Sequence, residues 1–439
     1  MEITNSTTET SQLRPPPPIN AQQIKALWRQ SGRKIHKVPQ LLRQGEHNSD
    51  AYDPKVVSFG PYHYGKPELQ LCQEAKHFVL QMFVEGGGKS REFFHQGVLE
   101  VISDARSCYV EGSTDFYTDE HFAEMMLLDA CFLIYYLKIG PQNQLSRLLI
   151  YNRLGGLVLS LVGRDIFLLE NQIPLQILML LINLRYERNE AEENLSRFLH
   201  ESFWGRPYKH HEIQQIQRLK LKKPLHLLEA CHQTLVWDWN PEIQPANEDF
   251  DSKKHHKTFR SAKNLKAKGI HFKPSSKKSL KDINFKSFAF YGLLELPVWL
   301  VSNLSQVFFP NIIAYELCPN NPVGTTVISY VDFMKSLIDS PADVKELREK
   351  KILLTSFGSD EEVVRLFREL NTYGIESTYN FLDVEQRIQK HYYSKAKTWM
   401  AELIHTYFSS PWSFIAWFAG LWLLILTSVQ TYFTINPRK

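Results

Sequence analysis

The feature that most constrains this chain is PWSFIAWFAGLWLLILTSVQTYF, residues 411–433. Between His405 and Arg438 no Lys, Arg, Asp, Glu or His interrupts it. A helix needs about 20 predominantly apolar residues to cross a hydrocarbon core about 30 Å thick, and this run supplies them. Trp412, Trp417, Tyr432 and Phe433 stand toward its two ends, where interfacial aromatics sit. The stretch predicts one transmembrane helix followed by a short tail, residues 434–439. The amino end, MEITNSTTETSQLRPPPP, has no apolar segment that would serve as a signal peptide. The expectation is therefore a tail-anchored, single-pass protein of the plasma membrane or an endomembrane, with the bulk of the chain cytosolic. Local charge does not decide orientation, because Lys395 and Lys397 are opposed by Arg438 and Lys439. In this topology the sequons at Asn5, Asn194 and Asn303 stay unmodified.

The remainder is a folding sequence. Hydrophobic residues at 43% and charged residues at 22% place it in the globular range and allow a large core. A formal charge of +4 over 439 residues is too small to name nucleic acid as a partner. The five cysteines, Cys72, Cys108, Cys131, Cys231 and Cys318, are widely spaced and form no CxxC pair. They predict reduced, buried thiols rather than a disulfide framework or a zinc ribbon.

Residues 1–33 read as a disordered Pro-rich tail and a short helix, QQIKALWRQ. Residues 34–405 read as one large helical domain. Its first part, AYDPKVVSFGPYHYGKPEL, is extended chain and turns. Helical spacing follows at 70–84 and 91–103. EMMLLDACFLIYYLK (124–138) is apolar nearly all round and predicts a central buried helix. In DIFLLENQIPLQILMLL (165–181), Pro174 cuts the run and starts a new helix. HLLEACHQTLVW (226–237) is another short helix. Between about 238 and 286 acids give way to dense lysine, which predicts a basic insertion or mobile loop. ELPVWLV (295–301) reads as a strand and NIIAYEL (311–317) as helix again. SPAD at Ser340 and SDEE at Ser359 are capping boxes that mark helix starts. A last amphipathic helix carries Phe381, Val384, Ile388, Tyr392, Trp399, Leu403 and Tyr407.

No stretch carries a complete catalytic motif. EGGGKS (85–90) lacks the glycine a phosphate loop needs, since Phe83 occupies that position, and reads as a turn. His226, Glu229 and His232 share a helix face, but neither HExxH nor HxxEH is present, so an ordinary helix with one polar side is the expectation. His210–His211 and His255–His256 lie in polar, basic segments and read as solvated. Glu124 and Asp129 project about 140° apart on a helix and cannot form one acid pair, so each should find its own basic or polar partner. Glu170 and Asn171, beside a proline that removes a donor, read as partners for stranded backbone groups. The lysines of the basic run, Lys253, Lys254, Lys257, Lys277 and Lys278 among them, have few interleaved aromatics and no nucleic-acid motif. Near a membrane they favour anionic lipid headgroups, with a solvated loop as the alternative.

Taken in order, IHKVPQLLR, YDPKVVSFGPYHYG, EMMLLDACFLI, DIFLLENQIP, HLLEACH, SAKNLKAKGIHF, NIIAYE, YVDFMKSLI with DVKELREKKI, and SSPWSFIA with LTSVQTYF resemble a plant-specific family, domain of unknown function two-four-seven. The resemblance covers roughly residues 34–434. Its signature here is Pro39, Gly60, Pro61, Tyr62, Asp129, Glu170, Asn171, Gln172 and Pro174. It implies a mostly helical, membrane-associated plant protein and no cofactor or catalytic residues. Some members are linked to reproductive recognition, which implies protein partners. Tyr64 replaces the second His of the usual PYHHG-like turn, and Asp129–Ala130 a DG-like pair. The expectation is thus a mainly α protein: one large helical domain with minor β, then a transmembrane helix. Its function is binding, signalling or recognition at a membrane surface. The alternative is an unrecognised hydrolase or transferase with a site near Glu170 or Asp129.

Overall fold

The computed structural model describes residues 33–44, 49–85, 87–137, 144–186, 191–204, 223–236, 261–319, 324–374, 381–394 and 411–435. Helix dominates them, with minor β, as expected. Within 34–405 the chain packs into two units, a division its composition does not announce. The described residues of 1–235 and 304–324 form the first unit and those of 236–303 and 325–439 the second.

Short helices α1 (Gln40–Arg43) and α2 (Ser49–Tyr52) flank the start of the first unit, and an extended, turn-rich segment leads on to α3 (Gln70–Glu85). The EGGGKS turn ends in Ser90, whose Oγ accepts from Phe93 N at 3.3 Å and so caps α4 (Arg91–Leu99). The 91–103 run is two helices, because α5 starts afresh at Ile102 and ends at Ser107. Thr118 Oγ1 accepts from His121 N and caps α6 (Asp119–Tyr136). From Phe122 to Ile134 only Glu124 escapes full burial, which is why this stretch is apolar all round. The α6 helix packs on α3, on α4 and, farther along the chain, on α8 (Leu175–Tyr186). Before α8 comes α7 (Gln144–Asp165), broken at Gly155, and after it come α9 (Ala191–Trp204) and α10 (Leu227–Leu235).

The basic segment is not a loop in its second half. Residues 261–286 include α11 (Ala262–Ala267), β1 (Ile270–Pro274) and β2 (Asn284–Ser287). In IHFKP the buried Ile270 and Phe272 alternate with the exposed His271 and Lys273, so the lysines ride on the outer face of a strand. With β3 (Gly292–Leu296) in the middle, β1 pairs parallel and β2 antiparallel. ELPVWLV is two strands: Pro297 separates β3 from β4 (Trp299–Val301), which pairs in parallel with β5 (Leu353–Thr355) in another sheet.

The α12 helix (Ser305–Glu316) returns to the first unit and tolerates Pro310 inside it. In the second unit follow α13 (Thr326–Leu337), α14 (Pro341–Glu349), α15 (Asp360–Glu369) and α16 (Leu382–Tyr392). Both halves of the Ser340 capping box are present, and Ser359 Oγ accepts from Glu362 N. Last is α17 (Pro411–Ile435), in which Ile415–Tyr432 is long and apolar enough to cross a membrane and has none of its length buried. Residues 1–32, Lys253, Lys254, Lys257, the His210–His211 and His255–His256 pairs, Trp399, Leu403 and Tyr407 lie outside the described residues.

Candidate functional site

DIFLLENQIP places Asp165, Glu170, Asn171 and Gln172 in the first unit's interior. It follows α7, ends where α8 begins, and faces the extended segment 53–63. Asp165 Oδ2 accepts from the amides of Lys55, Val56 and Val57 at 2.9, 2.8 and 3.2 Å, while Oδ1 holds Arg164. Asn171 acts as a substitute strand edge. Its Oδ1 accepts from Phe59 N at 2.6 Å, and its Nδ2 donates to the carbonyls of Val57 and Asp165, each at 3.0 Å. Gln172 Nε2 donates to Ile166 O and Leu168 O, and its Oε1 accepts from Leu228 N at the start of α10. The side chains thus satisfy their own segment, as expected beside Pro174, and also bind backbone from distant parts of the chain. Pro174 O accepts from Ile177 N, and Leu175 N donates to Leu225 O, so α8 begins directly after the proline.

Glu170 has both oxygens engaged. Oε1 accepts from Val38 N at 2.7 Å, next to Pro39, while Oε2 lies 2.9 Å from Arg43 Nη2 and 3.3 Å from His63 Nε2. Burial pushes its carboxyl upward, but His63, Arg43 and the Val38 amide together outweigh it and hold the group below the usual glutamate range. Asp129, on α6, accepts from Lys76 Nζ at 2.6 Å and from Gly60 N at 2.7 Å. Burial dominates there and raises its carboxyl above the usual range against the pull of Lys76 and Gly60. Lys76 is itself fully buried and donates also to Ser58 O and Gln73 Oε1. Glu124 pairs with Arg91, so Glu124 and Asp129 have separate partners.

Gly60 is the conformational hinge of this network. Its φ is +74°, and a Cβ there would meet Gln172 O at 2.6 Å. Pro61 O accepts from Tyr117 Oη, and Tyr62 Oη donates to Ile35 O at 2.6 Å. Burial lifts the Tyr62 phenol to about 12, so it stays a donor at any physiological pH. Asn311 completes the framework from α12: its Oδ1 accepts from Leu169 N, and its Nδ2 donates to Ala51 O and Val307 O.

A second buried cluster is the polar side of the helix that carries His226, Glu229 and His232, each at most 1% exposed. His226 Nδ1 accepts from Glu229 N, which makes the imidazole the N-terminal cap of α10. Glu229 Oε2 reaches back to Leu225 N, Oε1 pairs with Arg33, and His232 Nε2 lies 2.7 Å from Glu316 Oε1 on α12. The i, i+3, i+6 spacing that resembles a metal site is a helix cap with one ion pair, Arg33–Glu229, and one close His232–Glu316 contact. Burial first, then Arg33 and His36, depress His226 to about 3, so it is neutral and fit to accept. Among the described residues no group of three or more His, Cys, Asp and Glu side chains is placed to hold a metal ion.

Sequence reasoning missed Asp165, Lys76 and Asn311. Asp165 stands at the head of the quoted motif, and a buried lysine carries no local signal at all. Of the lysines in the basic run, Lys277 and Lys278 lie between β1 and β2, with Lys277 Nζ 3.9 Å from Asp282 Oδ1.

The family model described as DUF247, plant protein of unknown function, matches residues 35–426. The chain is 28% identical over 425 residues to the UPF0481 protein At3g47200 of Arabidopsis thaliana, covering 89% of this chain and 85% of that one. It is 23% identical over 492 residues to the putative UPF0481 protein At3g02645 of the same plant, covering 91% and 89%. No solved structure matches.

Proposed function

The chain belongs to the plant DUF247 family, and from that premise we propose that it is a membrane-anchored binding or recognition module, which presents its folded body to a protein partner at a membrane surface. The observation that carries this reading is α17. Apolar helices inside the fold are covered, as α6 and α8 are, whereas Ile415–Tyr432 has none of its length buried. A helix of this kind finds its apolar environment in lipid. The buried acids point the same way. Asp129, Asp165 and Glu170 have their oxygens taken by backbone amides and cations, an arrangement that joins segments rather than one that awaits a substrate.

Carbonate extraction tests the anchor: the full chain is expected to stay in the membrane pellet, and a chain ended before Pro411 to leave it. Retention of the shortened chain in carbonate would place the anchor elsewhere. The enzymatic reading has one observation in its favour. His63 is buried against Glu170, and its Nδ1 has no hydrogen-bond partner among the described residues. Glu170→Gln keeps the shape and removes the charge; loss of a measured activity at unchanged stability would support a hydrolase or transferase over a recognition module.

A further inference from the structure

The three-stranded sheet of the second unit ends differently on its two sides. The parallel register sets Ile270 beside Gly292, and Gly292 N donates to Gly269 O at 2.9 Å. The entry to β1 is therefore adjacent to the turn that joins β2 to β3. That turn is Phe288–Ala289–Phe290–Tyr291, closed by Phe288 N donating to Tyr291 O at 2.8 Å. Its three aromatic rings are 41%, 56% and 41% exposed. Phe288 and Tyr291 stack with centroids 4.7 Å apart, so the apolar surface they offer is preformed.

Cations surround the same end. Lys268 precedes Gly269, with its Nζ 6.0 Å from the Tyr392 ring. The His271 ring centroid is 5.9 Å from that of Tyr291, and Lys350 N donates to Glu346 O at the end of α14, one turn beyond the carboxylate that pairs with Lys266 on the helix leading into β1. Lys266 is paired with Glu346, whereas Lys350 is exposed. Lys277 and Lys278 stand beyond the opposite end of β1, past Pro274.

The chain's path adds the third observation. Ser287 Oγ lies 2.8 Å from His391 Nδ1, tying the last residue before the aromatic turn to the end of α16. From Ser394 only residues 395–410, sixteen of them, precede Pro411. Fully extended they span at most about 55 Å. The aromatic turn is thus on the side of the sheet from which the tether to α17 departs.

We propose that residues 288–291, with Lys268 and Lys350, form a second membrane contact that docks the unit onto an anionic bilayer surface. The rings enter the interface at headgroup level, where aromatic side chains partition. The ammonium groups face lipid phosphates, each contributing about fivefold to the docked population. The contact rests on α17 being a membrane anchor, and it replaces Lys277 and Lys278 as the lipid-facing lysines.

The test places an environment-sensitive dye on Phe290→Cys in the full chain, reconstituted into vesicles of phosphatidylcholine with or without phosphatidylserine. The five native cysteines are buried, so labelling is confined to the new thiol. A dye on Lys277→Cys reports the other end of the sheet. Quenching by spin-labelled lipid is expected at Phe290→Cys in the anionic vesicles, weaker in the neutral ones, and absent at Lys277→Cys. In the Phe290→Cys background, Lys268→Gln with Lys350→Gln should cut the docked population about twenty-fivefold. Equal quenching at both sites overturns the assignment of the turn. Quenching indifferent to phosphatidylserine overturns the role of the lysines. Absent quenching in a chain that resists carbonate overturns the contact alone and leaves the patch to a protein partner, whereas extraction by carbonate removes the anchor and this inference with it.

Discussion

Gly60 carries the tightest constraint in the first unit. At φ +74°, with Gln172 O only 2.6 Å from where a Cβ would stand, Gly60→Ala is expected to lower stability by about 1–3 kcal/mol from backbone strain, with the clash adding to it. Urea denaturation followed by tryptophan fluorescence measures the loss. The Lys76–Asp129 pair makes a sharper case. Removing one partner strands a buried charge, so Lys76→Met should cost about 3–5 kcal/mol, while Lys76→Met with Asp129→Leu removes both charges and should recover most of it. A double-mutant cycle on unfolding free energies separates the pair from its surroundings. If the double variant is as unstable as the single one, the Gly60 amide that Asp129 also holds matters more than the ion pair does.

Whole elements differ in how plainly their residues announce them. The capping serines Ser340 and Ser359, the all-round apolar α6 and the break at Pro174 were legible because each depends on neighbours within a turn or two. The strand β1 was not, for its lysines dominate the composition of 253–286 while the alternation of Ile270 and Phe272 spans only five residues. Nor was β5, three residues whose partner β4 lies about fifty positions away. At the candidate site, Glu170, Asn171 and Asp129 were legible as polar groups needing partners, but which backbone they hold depends on contacts more than a hundred residues apart in the case of Glu170. The cap of α10 shows the same limit, since burial by α12 turns a polar face into core. That burial has a pH consequence. His226 is depressed from 6.5 to about 3, so between those values the unfolded chain binds a proton that the folded protein excludes. Its contribution to stability is complete above pH 6.5 and is lost as pH falls toward 3. His226→Asn keeps an acceptor for the Glu229 amide and removes the titration, so its unfolding midpoint should depend less on pH than that of the wild type across this window. Parallel slopes for the two proteins would refute the assignment.

The whole molecule offers two reporters of its organisation. All five thiols are buried, and burial raises Cys72 to about 11 and Cys108 to about 12. Maleimide at neutral pH should therefore label none of them in the folded chain and all five in urea, because the thiolate is the reactive form and the fold suppresses both its formation and its access. The second reporter addresses the topology that α17 would impose. If α17 crosses a membrane, the residues after Ile435 and the folded body lie on opposite sides of it, and the charges flanking the helix do not choose between orientations. The sequons at Asn194, on α9, and Asn303, between β4 and α12, mark the folded body, and an acceptor sequon appended after Lys439 marks the far side. Oligosaccharyl transfer occurs only in the lumen, so microsomal translation should glycosylate the appended sequon and leave Asn194 and Asn303 bare. The opposite pattern would put the body in the lumen, where an oxidising environment would act on any thiol that unfolding exposes. Modification at neither place, in a chain that resists carbonate, would mean that α17 does not cross. It would then lie in the plane of the interface beside the aromatic turn, a placement that its even, all-round apolar surface does not favour.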